Sequence, residues 1–584
     1  MAAHIPHLAQ FPMKANETTL RQILDSSSQY IVPLFQRPYS WKPQNWKLLW
    51  NDLLDLYIYR SLDESQQVSG HFFGPIVTQS QSNSPAEVTS YILIDGQQRL
   101  TTLSILLAAL RDYYRAIHGQ EEMVANKLHD FLTNRYTKGE GRFKVLPTQI
   151  DRTAYKEVVD GQTQTSSGLI WEAYQFFLKS IQEAEKNQDI RLNIDAFSTL
   201  ILSSVNLVCI SLDKSDDPYL IYESLNYKGE PLSQADLIRN HLFMRLQAER
   251  HDQIYADKWL PTEQRFKENA GNDYLKEMTN AFWSYLRKSG QPINQKLIYQ
   301  NLKQEIDKSP DSGVEAKLDD LLRFSGYYLR IHFPQQEEKD RNLRYWFEHL
   351  SELKLTSFYS FILRIYDDHE KGKVTVKDFC QILEILESYA IRRWIVDVPS
   401  GPLNKTFIAL YQQIEKTYAV VNPKTLRAKL ASFDRTQRWP TDEELRAKII
   451  ERPLYVEGSD GKKRIKFVLQ RLQEKLSKEL VSFENLNIEH ILPQTMTDEW
   501  RSVLGEKADE IHREWSDVLG NLTMVVGSDN SEMSNHSFET KLKFLKTSNL
   551  SINKYFYDLS KWDHHAIQKR GEWLADQAIQ VWPR

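Results

Sequence analysis

The sequence contains 584 residues, of which 41% are hydrophobic and 26% are charged, and its formal net charge is −4. This near balance excludes a protein that is basic over its whole surface, although a local basic channel for nucleic acid remains compatible with it. The two cysteines, Cys209 and Cys380, are too few for a disulfide framework or a cysteine-based zinc site. No stretch approaches the ~18–20 apolar residues of a membrane span, and the N-terminus lacks a signal-peptide pattern. We therefore expect a soluble, cytoplasmic protein of about two to four domains.

The first 110 or so residues combine strand-like and helical patterns. Apolar runs predict strands at 30–34, 71–79 and 91–94, with the polar segment 80–90 as a hairpin loop. An amphipathic pattern predicts a helix at 46–59. After Gly96 the run LTTLSILLAALRDYY predicts a helix that is buried on all sides.

Helical periodicity dominates from about 110 to 470, with a strand predicted at 204–213. The segment EGSDGK at 457–462 indicates a turn or linker. Residues 481–584 have the size of a small nuclease module. The predicted division is 1–245, 246–460 and 461–584.

A polar cluster lies where the strand at 91–94 meets the buried helix: Asp95, Gly96, Gln97, Gln98 and Arg99. The N-terminus of a helix offers unpaired N–H groups, which favours phosphate binding there. Gly96 would allow close approach of a ligand, and Arg99 could bind phosphate oxygens. The alternative is structural, with Asp95 as a helix cap and Arg99 in a surface ion pair.

A second cluster of the same kind lies at Gln36, Arg37, Tyr39 and Trp41, in a loop stiffened by two prolines. The glutamine and arginine are hydrogen-bond donors, and the aromatic rings could stack on a base. The alternative is that the aromatic rings fill the core.

A third constellation lies near the C-terminus. Glu489 and His490 follow a strand-like stretch, Asn521 comes 31 residues after His490, and Asn530 comes nine residues after Asn521. A strand, a second strand and a helix carrying these residues in this order are typical of a ββα-metal (HNH) nuclease. Asn535 is the alternative to Asn530 as the third residue.

The residue types suit phosphodiester cleavage. A neutral histidine near pH 7 can activate water, so His490 is the predicted base. Glu489 and the Asn530 amide oxygen are hard ligands that suit Mg²⁺ or Mn²⁺. Asn521 would orient the imidazole through the backbone or through the ring's second nitrogen. Lys541 and Lys543 could contact DNA phosphate.

Several motifs together resemble the GmrSD family of modification-dependent (type IV) restriction enzymes. They are QRPYSW at 36–41, IDGQQRLTTL at 94–103, the segments 222–233 and 236–240, IRRW at 391–394 with Asn404 and Lys405, and NSEMSNHSFETK at 530–541. The resemblance implies an N-terminal domain related to the ParB and sulfiredoxin fold that binds and hydrolyses a nucleoside triphosphate (GTP, ATP or UTP). It also implies recognition of modified DNA. Asparagine replaces the commoner histidine at the third HNH position, as in GmrSD-like proteins.

A basic run leads into the C-terminal module, with seven Lys or Arg residues between 462 and 478 against Glu474 alone. Such a run is commonly a solvated helix face. Beside a nuclease motif it predicts a DNA-tracking surface that includes Lys463 and Arg464.

These observations predict an α+β, predominantly helical protein with a ParB/sulfiredoxin-like N-terminal domain, a helical middle and a C-terminal ββα-metal nuclease. The predicted function is NTP-regulated, modification-dependent cleavage of phage DNA, with a homodimer as a plausible state for double-strand cutting. Two alternatives stay open: a nucleotide-controlled DNA-binding protein with an inert nuclease fold, and an RNA-directed toxin nuclease.

Overall fold

The computed structural model describes residues 14–33, 36–62, 70–81, 88–119, 123–212, 233–247, 250–399, 401, 403–456, 458–477 and 481–584. Parts of several predicted features lie outside these residues. They are residues 34 and 35 of the proline-stiffened loop, 82–87 of the predicted hairpin loop, 213 at the end of the predicted strand, 222–232 of the family segment, and Glu457 and Lys478 around the basic run.

Two β-sheets are present in the described residues. The strands are β1 (Lys14–Thr19), β2 (Ser28–Ile31), β3 (His71–Ser80), β4 (Thr89–Asp95), β5 (Val145–Leu146), β6 (Val205–Leu212), β7 (Leu486–His490) and β8 (Leu522–Val526). The first sheet has the order β1-β6-β3-β4-β2-β5 and is mixed, since β6 pairs with β3 in parallel and with β1 antiparallel. The second sheet is the antiparallel pair β7-β8.

Helices make up most of the remaining described structure. The α-helices are Leu20–Asp25, Pro43–Leu62, Gln97–His118, Met123–Asp130, Arg152–Asp160, Leu169–Lys186, Ile194–Ser204, Gln234–Arg245, His251–Ile254, Leu260–Ala270, Tyr274–Arg287, Ile298–Asp307, Asp311–His332, Pro334–Glu337, Arg341–Glu352, Tyr359–Glu370, Val376–Val396, Leu403–Tyr418, Pro423–Ala431, Asp442–Glu451, Ser459–Leu476, Asp498–Leu504, Ala508–Trp515, Gly527–Met533, Phe538–Thr547 and His564–Val581. A π-helical turn covers Tyr255–Trp259. Single 3₁₀ turns lie at Gly139–Arg142, Gly271–Asp273, Gln295–Leu297, Thr356–Phe358, Arg435–Gln437, Gly505–Lys507, Leu519–Asn521 and Ser551–Phe556.

The Gln97–His118 helix forms the centre of the N-terminal core. Every residue from Leu100 to Arg111 is buried, as the unbroken apolar run predicts. The helix begins directly after β4, at Gly96, whose φ of 90° disfavours a side chain. A Cβ at Gly96 would also lie only 2.6 Å from the Ile76 side chain on β3. Gly96 is therefore required by the junction of strand and helix.

The β7-β8 pair separates two clusters of buried apolar side chains. Leu522 and Met524 of β8 join one cluster, and Val525 joins the other, together with Ile491. This alternation follows the two-residue period of a strand. Both faces of the short sheet are covered, which holds its polar end residues in a fixed setting.

The chain divides into two compact units. The first comprises residues 1–280 and 296–322, and the second comprises 281–295 and 323–584. The predicted fold class, α+β and predominantly helical, is confirmed. The linker predicted at 457–462 is shorter than expected, because a helix already begins at Ser459. The three-part domain division stays a prediction. None of the helices in the described ranges has the length and apolar character to cross a membrane.

Candidate functional site

The C-terminal candidates meet on a strand–strand–helix unit. His490 is the last residue of β7 and pairs with Leu522, the first residue of β8. The Gly527–Met533 helix follows β8 directly and carries Asn530. Asn521 lies just before β8, in the 3₁₀ turn Leu519–Asn521, and not within the second strand as predicted. Because neighbouring side chains on a strand point to opposite faces, Glu489 and His490 can serve different tasks at one strand end.

Glu489 has both of its carboxylate oxygens engaged. Oε2 accepts a 2.7 Å hydrogen bond from the Asn530 side chain, and Oε1 lies 2.6 Å from the Lys541 ammonium. Glu489 and Lys541 are both buried, and Lys541 is 0% exposed. Burial raises the pKa of Glu489 and lowers the pKa of Lys541, and their ion pair opposes both shifts. Of the two candidates, it is Asn530 rather than Asn535 that bonds Glu489.

His490 is enclosed by groups that fix its ring. Its Nε2 lies 3.1 Å from Oδ1 of Asp517, and the two side chains are 9% and 34% exposed. The ring of Tyr455 packs edge-on against the imidazole, with 4.5 Å between centroids. The Asp517 carbonyl in turn accepts the Leu454 and Tyr455 amides at 2.9 and 3.1 Å. Asp517 therefore contacts the imidazole with its side chain and, through its carbonyl, holds the segment that carries Tyr455.

Asn521 is fully buried, and its side chain bonds the backbone beyond His490. Its Oδ1 accepts the Leu492 amide at 2.7 Å and the Trp562 indole N–H at 3.0 Å. Its Nδ2 donates to the carbonyls of Leu492 and Ser516, at 2.8 and 2.7 Å. Asn521 thus holds the chain after β7, whereas Asp517 is the partner of the imidazole ring.

The predicted DNA contacts divide into two groups. Lys463, Arg464 and Lys543 are exposed and remain available to a phosphate backbone. The predicted phosphate contact of Lys541 is at odds with its complete burial, because the ion pair with Glu489 turns this ammonium inward.

The basic run does not form one continuous charged face. Arg471 turns inward, where it pairs with Glu387 at 2.9 Å and with Glu474 at 2.6 Å. At the other end of the same helix, Lys462 lies over the Tyr455 ring at 5.7 Å, and Tyr455 packs on His490. The first turns of this helix therefore approach His490 through Tyr455.

The N-terminal candidates include one partly exposed ion pair. Arg99 Nη2 lies 3.0 Å from Asp95 Oδ2, with side chains 23% and 24% exposed. The Arg99 Nε is buried with no hydrogen-bond partner in the described structure. Gly74 on β3 leaves room for this guanidinium, since a Cβ there would come within 3.3 Å of Nη1. The structural alternative is half right: the ion pair exists, but the helix cap is Gly96 rather than Asp95.

The other N-terminal candidates are used to hold the loop 36–41 on the fold. Gln36 is fully buried and donates to the carbonyls of Leu93 and Ile94. Gln98 spans the loop, since it accepts the Ser40 amide at 2.8 Å and donates to the Pro38 carbonyl at 3.1 Å. Gln97 is buried as well.

The aromatic residues of this loop differ in exposure. Tyr39 is buried, with its hydroxyl 2.7 Å from the Thr102 hydroxyl, as the core-filling alternative predicts. Trp41 is only partly buried, edge-on to Phe73, and Arg37 is also partly exposed. Burial is therefore at odds with direct nucleotide contact by four candidates, Gln36, Tyr39, Gln97 and Gln98. The candidates that remain accessible are Asp95, Arg99 and Arg37.

Two family models match the chain. The N-terminal domain of the GmrSD restriction endonuclease matches residues 20–243, and the C-terminal domain of GmrSD restriction endonucleases matches residues 439–577. The chain belongs to the GmrSD family of restriction endonucleases. Together the two matches cover more than half of its length. No curated protein matches the chain significantly.

The GmrSD matches enclose both candidate sites. The first covers the Asp95–Arg99 pair, and the second covers the basic helix and every nuclease candidate from Glu489 to Lys543. Asp517 and Tyr455 also lie inside the second match, although sequence reasoning missed them. Asp517 lies in a turn, and Tyr455 precedes the predicted linker, so neither had a local pattern that pointed to His490.

Proposed function

We propose that this GmrSD-family nuclease is an NTP-regulated, modification-dependent DNA endonuclease that cuts through a metal-dependent HNH site. The observation that carries the proposal is the Glu489–Asn530 pair beside His490 on one strand–strand–helix unit. The imidazole can supply a general base for phosphodiester hydrolysis, and the carboxylate and amide can supply oxygen ligands for a metal ion.

His490 is the general base in this proposal. With Nε2 directed at Asp517, the tautomer that donates to the carboxylate leaves Nδ1 unprotonated and able to accept a proton. A water oxygen attacks phosphorus while its proton passes to Nδ1. The P–O bond to the leaving sugar oxygen breaks, and that oxygen takes up a proton from solvent water. Asp517 stabilises the imidazolium that results. Tyr455 limits the rotation of the ring.

Glu489 and Asn530 would hold the metal. Within the described residues, no three His, Cys, Asp or Glu side chains are grouped as a metal site. A pair of one carboxylate and one amide fits Mg²⁺ or Mn²⁺, which commonly complete their shells with water and phosphate oxygens. The Asn530 amide nitrogen donates to Oε2 of Glu489 and to the Ile488 carbonyl, so the amide would rotate by a half-turn to present its oxygen to a metal ion beside Oε2. When bound, the metal would supply charge stabilisation at the phosphate.

DNA would approach over Lys463, Arg464 and Lys543, whose exposed charges suit contacts to the phosphate backbone. The nucleoside triphosphate would bind at the N-terminus of the Gln97–His118 helix. The partly exposed guanidinium of Arg99, with its unpartnered Nε, supports an anion there.

The test uses matched DNAs, one unmodified and others carrying hydroxymethylated or glucosylated cytosine or phosphorothioate. Each is incubated with Mg²⁺ or Mn²⁺, with and without GTP, ATP or UTP, and His490→Ala is the control. We expect cutting confined to a modified DNA, altered by nucleotide and lost in the variant. Cutting that persists in His490→Ala would remove the assigned base.

The two alternatives predict different results. An inert nuclease fold would bind DNA but neither cut it nor bind Mn²⁺, and Glu489, His490 and Asn530 in one place argue against that. An RNA-directed nuclease would use the same residues and cut RNA under conditions in which every DNA stays intact.

A further inference from the structure

A lysine from outside the strand–strand–helix unit reaches the candidate metal site. Lys541 lies on the Phe538–Thr547 helix, and its ammonium is completely buried. It has two acceptors in the described structure: Oε1 of Glu489 and the backbone carbonyl of His490, both at 2.6 Å. One side chain therefore bridges the candidate metal ligand and the backbone of the candidate base.

The bridge restricts what Glu489 can offer to a metal ion. Oε1 is held by the charged ammonium, whereas Oε2 is held by the neutral Asn530 amide, so Oε2 is the oxygen that a metal ion can reach once this amide rotates. The same ammonium places a fixed positive charge next to the position where a divalent cation would bind. The Lys541 ammonium and a divalent cation on the same carboxylate would repel each other, and this repulsion is strong where water is excluded.

We propose that Lys541 is a positioning residue that shares Glu489 with the metal ion. It holds the carboxylate in the one-oxygen orientation that faces Asn530, and it keeps the affinity for the metal moderate. This inference rests on the metal-dependent function proposed above. It assigns Lys541 a role inside the nuclease centre in place of the contact with DNA.

The proposed role of Lys541 and a merely structural role predict opposite changes in the affinity for the metal ion when Lys541 is replaced. If Lys541 only stabilised the fold, its loss would loosen the site and weaken metal binding. If it shares Glu489 with the metal, a neutral replacement frees Oε1 and removes a competing charge. Metal binding then becomes tighter, while cleavage slows because the carboxylate is no longer held in one orientation.

The experiment compares full-length wild type with Lys541→Met and Lys541→Gln, by calorimetric titration of MnCl₂ without DNA. Lys546→Met, an exposed lysine on the same helix, is the matched control. A neighbouring charge shifts a protonation equilibrium by roughly 10- to 1,000-fold. We therefore expect the Mn²⁺ dissociation constant to fall roughly tenfold or more in both neutral variants. At saturating Mn²⁺, we expect kcat for DNA cleavage to fall roughly 10- to 100-fold.

The outcomes separate this inference from the function on which it rests. No Mn²⁺ binding by any of the proteins, wild type included, would overturn the metal site itself. Binding to wild type with an unchanged or weaker affinity in a folded neutral variant would overturn only the role of Lys541. Mn²⁺ should also raise the unfolding temperature of the variants more than that of wild type. Failure of both variants to fold even with Mn²⁺ present would contradict the proposal, because the metal should balance the freed Glu489.

Discussion

His490 is held by one polar and one aromatic neighbour, and their contributions can be separated. Asp517 faces Nε2 of the imidazole at 3.1 Å and remains about one-third exposed. Tyr455 contacts the ring through its edge and has no hydrogen bond to it in the described structure. Asp517 therefore controls which nitrogen carries the proton, whereas Tyr455 controls where the ring lies.

Asp517→Asn should impair catalysis without impairing metal binding. A neutral amide can no longer stabilise an imidazolium. Its N–H group can also donate to Nε2, which favours the tautomer that carries its proton on Nδ1 and has no free Nδ1 to accept one. We expect kcat to fall roughly 10- to 100-fold, with an unchanged Mn²⁺ dissociation constant and unfolding temperature. Cleavage kinetics at saturating Mn²⁺ measure kcat, and calorimetry measures the Mn²⁺ dissociation constant and the unfolding temperature. Asp509→Asn, an exposed residue that pairs with Arg501, is the control. An equal fall of kcat in that variant would show that Asp517 has no specific role in catalysis.

Asn521→Ala should act through the backbone that follows His490. The substitution removes four hydrogen bonds at a fully buried position and leaves Leu492 and Trp562 groups unpaired. Each unpaired buried group costs about 1–3 kcal/mol. Hydrogen exchange at the Leu492 amide should therefore become faster, and cleavage should be lost. Loss of cleavage with wild-type exchange at Leu492 would instead indicate a direct role in the chemistry.

At the scale of elements, the sequence predicts what depends on local periodicity. The strands at 71–79 and 91–94 and the buried helix after Gly96 follow from runs of apolar residues, and the structure has them within a few residues. The order Glu489-His490, Asn521, Asn530 likewise predicts the strand–strand–helix unit. The strands and the helix could be predicted because neighbouring residues determine them, and the strand–strand–helix unit because its residue order is typical of HNH nucleases.

Side-chain partners could not be predicted in the same way, because they come from distant parts of the chain. Lys541 reaches Glu489 across 52 residues, and Gln36 reaches Leu93 across 57. A buried lysine and an exposed lysine have the same appearance in a basic helical stretch. Lys541 was therefore predicted at the DNA and Gln36 at the nucleotide, whereas both are buried within the fold.

Glu157 joins two helices of the N-terminal unit, and its contribution should depend on pH. Burial alone would raise its pKa, but hydrogen bonds from Thr165, Ser166 and Trp171 outweigh burial and lower the pKa to about 2. Because its pKa is lowered in the fold, the ionised Glu157 stabilises the fold at pH values above its ordinary pKa near 4.5. This contribution is lost as the pH falls toward 2.

Glu157→Gln should therefore destabilise the N-terminal unit by about 1–3 kcal/mol near neutral pH, since hydrogen bonds to a charged group are lost. The deficit should shrink steadily below about pH 4.5. The unfolding temperatures of variant and wild type between pH 7 and pH 3 measure it. Glu17→Gln, at an exposed position of β1, should show no deficit. A deficit that is constant over this pH range would contradict the role of the ionised carboxylate.

At the scale of the whole molecule, the two candidate sites belong to different compact units. Asp95 and Arg99 lie in the first unit, and Glu489 and His490 lie in the second. Regulation by nucleotide therefore requires a coupling free energy between the units. Linkage makes that coupling reciprocal: a nucleotide that changes DNA affinity by some factor must have its own affinity changed by DNA by the same factor.

Arg99→Ala tests both the nucleotide site and its coupling to the nuclease unit. Loss of a charge-assisted contact should weaken triphosphate binding roughly 10- to 100-fold and abolish turnover. In a His490→Ala background, which we expect to bind DNA without cutting it, the effect of nucleotide on DNA affinity should disappear at concentrations that saturate the parent protein. The Mn²⁺ affinity of the second unit should stay unchanged. Arg21→Ala, an exposed arginine of the first unit that lies 3.9 Å from Asp25 four residues away, is the matched control and should behave like the parent protein. If nucleotide still alters DNA affinity in Arg99→Ala as it does in this control, the nucleotide binds elsewhere than at Arg99.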